Sequence, residues 1–275
     1  MPSAGPSDER EQPPPRVLER VLPPGPPAPV EELVRWMGLW ERPSGERPRP
    51  HVMLNMVSTV DGRATVGGRS GPISGAADRE LFHALRAAVD GVLVGAGTIR
   101  AERYGRIIRD APVRAERVAR GLPEEPLACV VSGRLELPHD IGLLQTAGAR
   151  VAVLTASPAS LPPVPAEVEY VRCSHHGRLD LSAALTELRR RHDVRTLLCE
   201  GGPHLAQELV AANLADELFL SVSPLLAAGE PMGGEALRIL AGMELEPPAQ
   251  VELAGILRDE SWLFLRYRVA SEERV

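Results

Sequence analysis

Short apolar runs of strand length alternate with segments of helical periodicity for most of the chain, and this alternation limits the fold more than any other feature. HVMLNMV (51–57), GVLVG (91–95), LACVV (127–131), RVAVLT (150–155) and TLLCE (196–200) are runs of the kind buried in parallel sheets. Between them lie amphipathic stretches. Ser74 precedes GAADRELFHALRAAV as a predicted cap, with Asp78 in the first turn and Leu81, Phe82, Leu85, Ala88 and Val89 on one face. Leu181, Leu185 and Leu188 mark a second helix, and Pro203 opens a third that ends near Asn213. Three strand-rich segments, 216–226, 251–257 and 262–269, then follow without intervening helices. The pattern predicts an α/β three-layer sandwich with a mostly parallel central sheet and an antiparallel C-terminal edge.

The flanks read differently. Ten prolines in the first 29 residues predict a disordered Pro-rich tail over 1–29. Residues 30–40 predict a short docked helix, a linker runs to residue 50, and one domain fills 51–270. No secretory signal and no membrane-length apolar run is present.

Composition removes whole classes of chemistry. All 31 basic residues are arginine, so Schiff-base lysines and the lysine-bearing P-loop are excluded. Any phosphate clamp must use arginine, backbone N–H groups and helix N-termini. A net charge of −6 and 3% aromatic content argue against a nucleic-acid partner. Cys129, Cys173 and Cys199 are isolated and His175-His176 lacks helical spacing, so no metal site is expected.

Open α/β sheets bind ligands beyond the carboxyl ends of their strands. Three such ends are unusual. NMVSTVDG (55–62) delivers a carboxylate and two hydroxyls, with the glycine-rich GGRSGPIS (67–74) close behind. VGAGTIR (94–100) has the first two glycines of G-x-G-x-x-G, but Arg100 replaces the third. CEGGPHLAQEL (199–209) turns on Gly201 and Gly202 into a helix whose first N–H groups are free to meet an anion.

In this order, N-x-x-x-T-x-D-G at 55–62, R-A-x-x-D-G-x-x-V-G-x-G-T at 86–98, E-G-G-P at 200–203 and L-x-D-E-L at 214–218 resemble the pyrimidine reductase family of riboflavin biosynthesis. That resemblance implies a dihydrofolate-reductase-like fold, NADPH as cofactor, and reduction of a ribosylamino to a ribitylamino side chain on a small pyrimidine phosphate. It implies cofactor contacts from Asn55, Thr59, Gly95, Gly97, Thr98, Arg100, Gly201, Gly202, Pro203, His204 and Leu205. It implies catalytic roles for Asp61 and Glu200, and substrate contacts from Ser70, Arg86 and Glu200. A cytoplasmic homodimer is the implied assembly.

The chain departs from the family pattern in two places. The stretch A-D-D-P-x-L-T-x-R is AERYGRIIR at 101–109, and the W-I-T/S signature is Gly71-Pro72-Ile73-Ser74. The upstream deaminase motifs H-x-E and P-C-x-x-C are missing, so a stand-alone reductase domain is expected. Two other readings stay open on these residues: a dihydrofolate- or pterin-like reductase, and a catalytically silent NADP-binding protein. Arg63, Arg69 and Arg100 are the candidates for a ribose 2′-phosphate contact.

Overall fold

The computed structural model describes residues 16–41, 47–229 and 237–270. Two strands come first, β1 (Val17–Leu22) and β2 (Gly25–Pro29), then α1 (Val30–Trp36) and β3 (His51–Thr59). The alternating region follows: α2 (Ala76–Ala88), β4 (Gly91–Gly95), α3 (Ala96–Glu102), α4 (Ala111–Ala119), β5 (Leu127–Val131), α5 (Gly142–Gln145), β6 (Arg150–Thr155) and β7 (Glu167–Arg172). A two-residue ribbon, β8 (Ser174–His175) and β9 (Arg178–Leu179), leads to α6 (Leu181–His192), β10 (Thr196–Cys199) and α7 (Pro203–Ala211). Strands β11 (Glu217–Ser223), β12 (Val251–Asp259) and β13 (Trp262–Val269) close the fold.

Eleven of these strands form one sheet in the order β2-β1-β12-β13-β11-β3-β10-β4-β5-β6-β7. Pairing is parallel from β11 through β7 and antiparallel from β11 out to β2. The predicted mostly parallel sheet with an antiparallel C-terminal edge is therefore present. Late strand β10 inserts between the early strands β3 and β4, with Leu198 beside both Met53 and Val92. The three strand ends singled out in the sequence thus become neighbours.

The apolar runs are buried on both faces because each face carries a helical layer. In β4, Val92 and Val94 enter one core with Leu33 and Val34 of α1 and Leu81 and Leu85 of α2. Leu93 enters the other core with Leu185 and Leu188 of α6 and Leu205 and Leu209 of α7. Leu85, Leu93, Leu185, Leu188 and Leu209 are fully buried, and each such side chain contributes about 2 kcal/mol of transfer free energy. Cys129 and Cys199 are unpaired core thiols. Burial pushes Cys199 up to about 12.

Three expectations need correcting. Residues 17–29 are not a disordered tail: β1 and β2 form a hairpin that pairs with β12, and Leu18 is fully buried. The folded unit therefore begins well before residue 51. Prolines are compatible with β2 because it is the outermost strand, where a missing N–H breaks no ladder. The remainder of that tail, 1–15, and linker residues 42–46 lie outside the described residues. Helix α1 stops at Trp36, four residues short of the periodic pattern, and chain turns follow it. Ser74 is not the cap of α2. Gly75 holds that position, and the Ser74 hydroxyl donates to Asp78 at 2.5 Å.

Candidate active site

Beyond the carboxyl ends of β3, β10 and β4 lies a cleft of about 870 Å3. Its two walls are built from different materials. One wall is backbone. Gly95 ends β4 and starts α3, and its N–H donates to the Gly201 carbonyl at 2.8 Å. Gly202 starts α7, with Pro203 in the first turn and no side-chain cap, so the N–H groups behind it are free. A Cβ at Gly202 would stand 2.8 Å from the Thr98 hydroxyl oxygen, and one at Gly95 would stand 3.5 Å from the Gly202 nitrogen. The close approach at Gly202 therefore favours glycine there, whereas a Cβ at Gly95 would meet its neighbour at ordinary contact distance. Gly201 has φ +83°, a conformation that favours glycine, and its peptide to Gly202 is cis.

The opposite wall is made of side chains from α2 and the segment after α3. At its base, Arg86 donates from Nε and Nη2 to the two Glu200 oxygens at 2.6 and 2.7 Å, and from Nη1 to the Ile107 carbonyl at 3.1 Å. The Tyr104 hydroxyl donates to Glu200 Oε2 at 2.6 Å. The Glu200 side chain is 2% exposed. Burial works against the Arg86 charge, but Glu200 more than offsets it and holds the guanidinium firmly protonated. Burial, and then the Glu200 charge, push the Tyr104 phenol well above its ordinary value. The result is a closed ion pair capped by a phenol, which ties α2 to the end of β10.

Above it stand Arg79, His83, Arg103, Arg106 and Arg109. Three of these four arginines are engaged. Arg79 donates to the Ser74 carbonyl at 3.1 Å, Arg106 pairs with Glu125, and Arg103 lies 3.5 Å from Asp140. Among the described residues Arg109 shows no side-chain hydrogen bond or ion pair. Burial, and then Arg86, lower the His83 pKa.

Of the residues expected at the site, Asn55, Ser70, Arg86, Gly95, Gly97, Thr98, Glu200, Gly202, Pro203, His204 and Leu205 line this cleft. Four do not. Asp61 faces the 225–229 segment: its carboxylate accepts from Ala227 N at 3.2 Å and Ala228 N at 2.7 Å, and from the Thr59 hydroxyl. The Thr59 bond, then those of Ala228 and Ala227, lower Asp61 to about 2. Thr59 is buried beneath it, accepting from Arg63 N. Arg100 turns to the Glu136 carbonyl at 2.7 Å, and Gly201 sits behind Gly202. Arg63, a candidate for the ribose 2′-phosphate, is held by the Ala228 carbonyl. Arg86 and Ser70 are in place but differently employed. All three Arg86 nitrogens are committed, so it is no free phosphate fork. Ser70 donates from N and Oγ to Glu102.

Tyr104, Phe82, His83 and Arg109 were missed. Their only sequence signal was the departure at 101–109 and an aromatic on the predicted inner face of α2.

Residues 50–260 match the family described as the RibD C-terminal domain. The 2,5-diamino-6-ribosylamino-4(3H)-pyrimidinone 5′-phosphate reductase of Archaeoglobus fulgidus is 32% identical over 183 residues, covering 66% of this chain and 83% of that protein. The reductase of the same name from Aquifex aeolicus is 29% identical, covering 71% and 88%. Among solved structures, a pyrimidine reductase-like protein from Corynebacterium diphtheriae superposes with a TM-score of 0.66 at 22% identity, covering 81% of this chain and 93% of that one.

Proposed function

The chain belongs to the RibD C-terminal domain family, and on that premise we propose that it is a pyrimidine reductase of riboflavin biosynthesis, acting on a 6-ribosylaminopyrimidine 5′-phosphate with NADPH. The observation that carries the reading is the meeting of two glycine turns and an arginine-rich wall across one cleft.

The residues present fit a reduced dinucleotide. The uncapped start of α7 offers N–H groups of His204 and Leu205 to a pyrophosphate, and the Thr98 hydroxyl and Gly95 leave its approach unobstructed. Arg100 and Arg134 stand at the segment that leaves β5, where a ribose 2′-phosphate would find positive charge. When bound, NADPH supplies the hydride that C1′ of the ring-opened substrate accepts.

On the other wall, Arg109, Arg79 and His83 take the substrate phosphate in place of Arg86. The Arg86–Glu200 pair serves as the floor that holds the two walls at a fixed separation. Glu200 is then a positioning carboxylate, since its oxygens already accept three donors.

A homodimer completes the proposal. Strand pairing puts Val251, Leu253 and Leu263 on the sheet face opposite Leu257 and Phe264, and all three are at least 38% exposed. We infer a cytoplasmic location, where NADPH is supplied; among the described residues no helix is long and apolar enough to cross a membrane.

The test is NADPH absorbance with the diaminopyrimidinone substrate, its uracil counterpart, and dihydrofolate. Oxidation by a ribosylaminopyrimidine alone is expected. Oxidation by dihydrofolate alone, or by none of the three, overturns the assignment.

A further inference from the structure

Aromatic side chains are scarce in this protein: three Phe, three Tyr and three Trp among 275 residues. Two of the nine, Phe82 and Tyr104, line the same cleft, on the wall opposite the glycine turns. They are not independent. The Arg86 guanidinium lies over both rings, 4.1 Å from the Phe82 centroid and 5.4 Å from that of Tyr104.

Arg86 cannot swing away, because Glu200 and the Ile107 carbonyl hold all three of its nitrogens. Tyr104 is fixed as well by its hydroxyl on Glu200. Phe82 projects from the middle of α2, a turn before Arg86. Both rings are only part-buried, and each has one face against the guanidinium. Both contribute exposed surface to the cleft lining. The wall is therefore a rigid apolar surface of two oriented rings beside a ring of cations. That combination suits a ligand with a flat heteroaromatic part and an anionic part, since stacking is tolerant of ring identity and the cations take the phosphate.

We propose that Phe82 and Tyr104 form the platform against which the pyrimidine ring of the substrate lies, and that they set the preference for a base-bearing sugar phosphate over the sugar phosphate alone. The inference rests on the reading of the cleft as a ribosylaminopyrimidine phosphate site. Phe82 and Tyr104 are specificity residues in this scheme, touching the base and not the reacting C1′.

Phe82→Leu tests it, since leucine keeps helix propensity and bulk but removes the ring. Three quantities are read: KM for the ribosylaminopyrimidine 5′-phosphate, the inhibition constant of ribose 5-phosphate, and KM for NADPH. Substrate KM is expected to rise about tenfold while the other two stay within about twofold, and Phe82→Trp is expected to match the wild type. An unchanged substrate KM overturns the platform. So does a parallel loss of ribose 5-phosphate, which would mean that the ring only supports Arg86, or a rise confined to NADPH, which would give the rings to the nicotinamide. If the leucine protein does not fold, Phe82→Met carries the same comparison. Calorimetric binding of substrate and ribose 5-phosphate is measured alongside turnover. A wild type that binds both but oxidises no NADPH removes the assigned reaction, while the ring-dependent difference in binding still decides the platform.

Discussion

The two walls of the cleft solve the same problem in opposite ways. One wall is made of main chain: the Gly95 N–H bonds the Gly201 carbonyl, and a Cβ at Gly202 would stand 2.8 Å from the Thr98 hydroxyl oxygen. The other wall is made of long side chains from α2 and residues 101–109, anchored through Arg86, Glu200 and Tyr104. A backbone wall presents donors whose positions follow from two helix starts, and it leaves few residues to vary. A side-chain wall depends on partners far apart in sequence, such as Arg86 and Glu200 at a separation of 114 residues.

The largest effect is expected where the walls join. Glu200→Ala leaves the Arg86 charge buried without its partner, a loss of roughly 3–5 kcal/mol in chemical denaturation. Adding Arg86→Met to that variant should recover part of the loss. A loss below ~1 kcal/mol would show that water reaches the pair and that the walls are not joined there.

Next comes the backbone wall. Gly202→Val places a branched Cβ against the Thr98 hydroxyl, and NADPH binding should weaken about 100-fold with little change in substrate binding at saturating cofactor. Equal weakening of both ligands would erase the distinction between the walls. On the side-chain wall, Arg109→Ala should raise substrate KM about tenfold through the lost phosphate contact, with NADPH affinity unchanged. No change in KM would return the phosphate to Arg79 or to another cation of the cleft.

Asp61 provides the smallest effect and the sharpest contrast. Its carboxylate caps Ala227 and Ala228 outside the cleft, so Asp61→Asn should alter kcat by no more than about threefold. A tenfold loss, ~1.4 kcal/mol of barrier, would place Asp61 in catalysis after all. The pH dependence has a clear sign. With a native pKa of about 2, below its ordinary value, Asp61 stabilises the fold above pH 4, and that contribution is lost only as pH falls toward 2. An acid limb in activity above pH 5 that vanishes in Asp61→Asn would contradict this.

The same contrast explains how far the residues could be read in order. Gly95, Gly97, Gly202 and Pro203 were legible because a buried run followed by glycine and a helix start is a local pattern with a local cause. Arg86 was legible as a site residue but not as a buried partner of Glu200, since nothing in either segment announces the other. A strand-terminal Asp-Gly reads equally as a ligand carboxylate and as a cap for a distant loop, and only the structure puts the Asp61 carboxylate on Ala227 and Ala228, outside the cleft lining. The hairpin at 17–29 was misread for a related reason: proline lowers strand propensity everywhere except at an edge, and only β12 makes it one.

Sequence alone determined the α/β layering, the parallel core of the sheet and the glycine turns, because these follow from periodicity and backbone sterics over a few residues. Tertiary structure decided which cations remain free, which carboxylate faces the cleft and where Phe82 and Tyr104 stand. Those outcomes depend on which distant donors the fold brings within reach of each acceptor, and on burial that no single segment encodes.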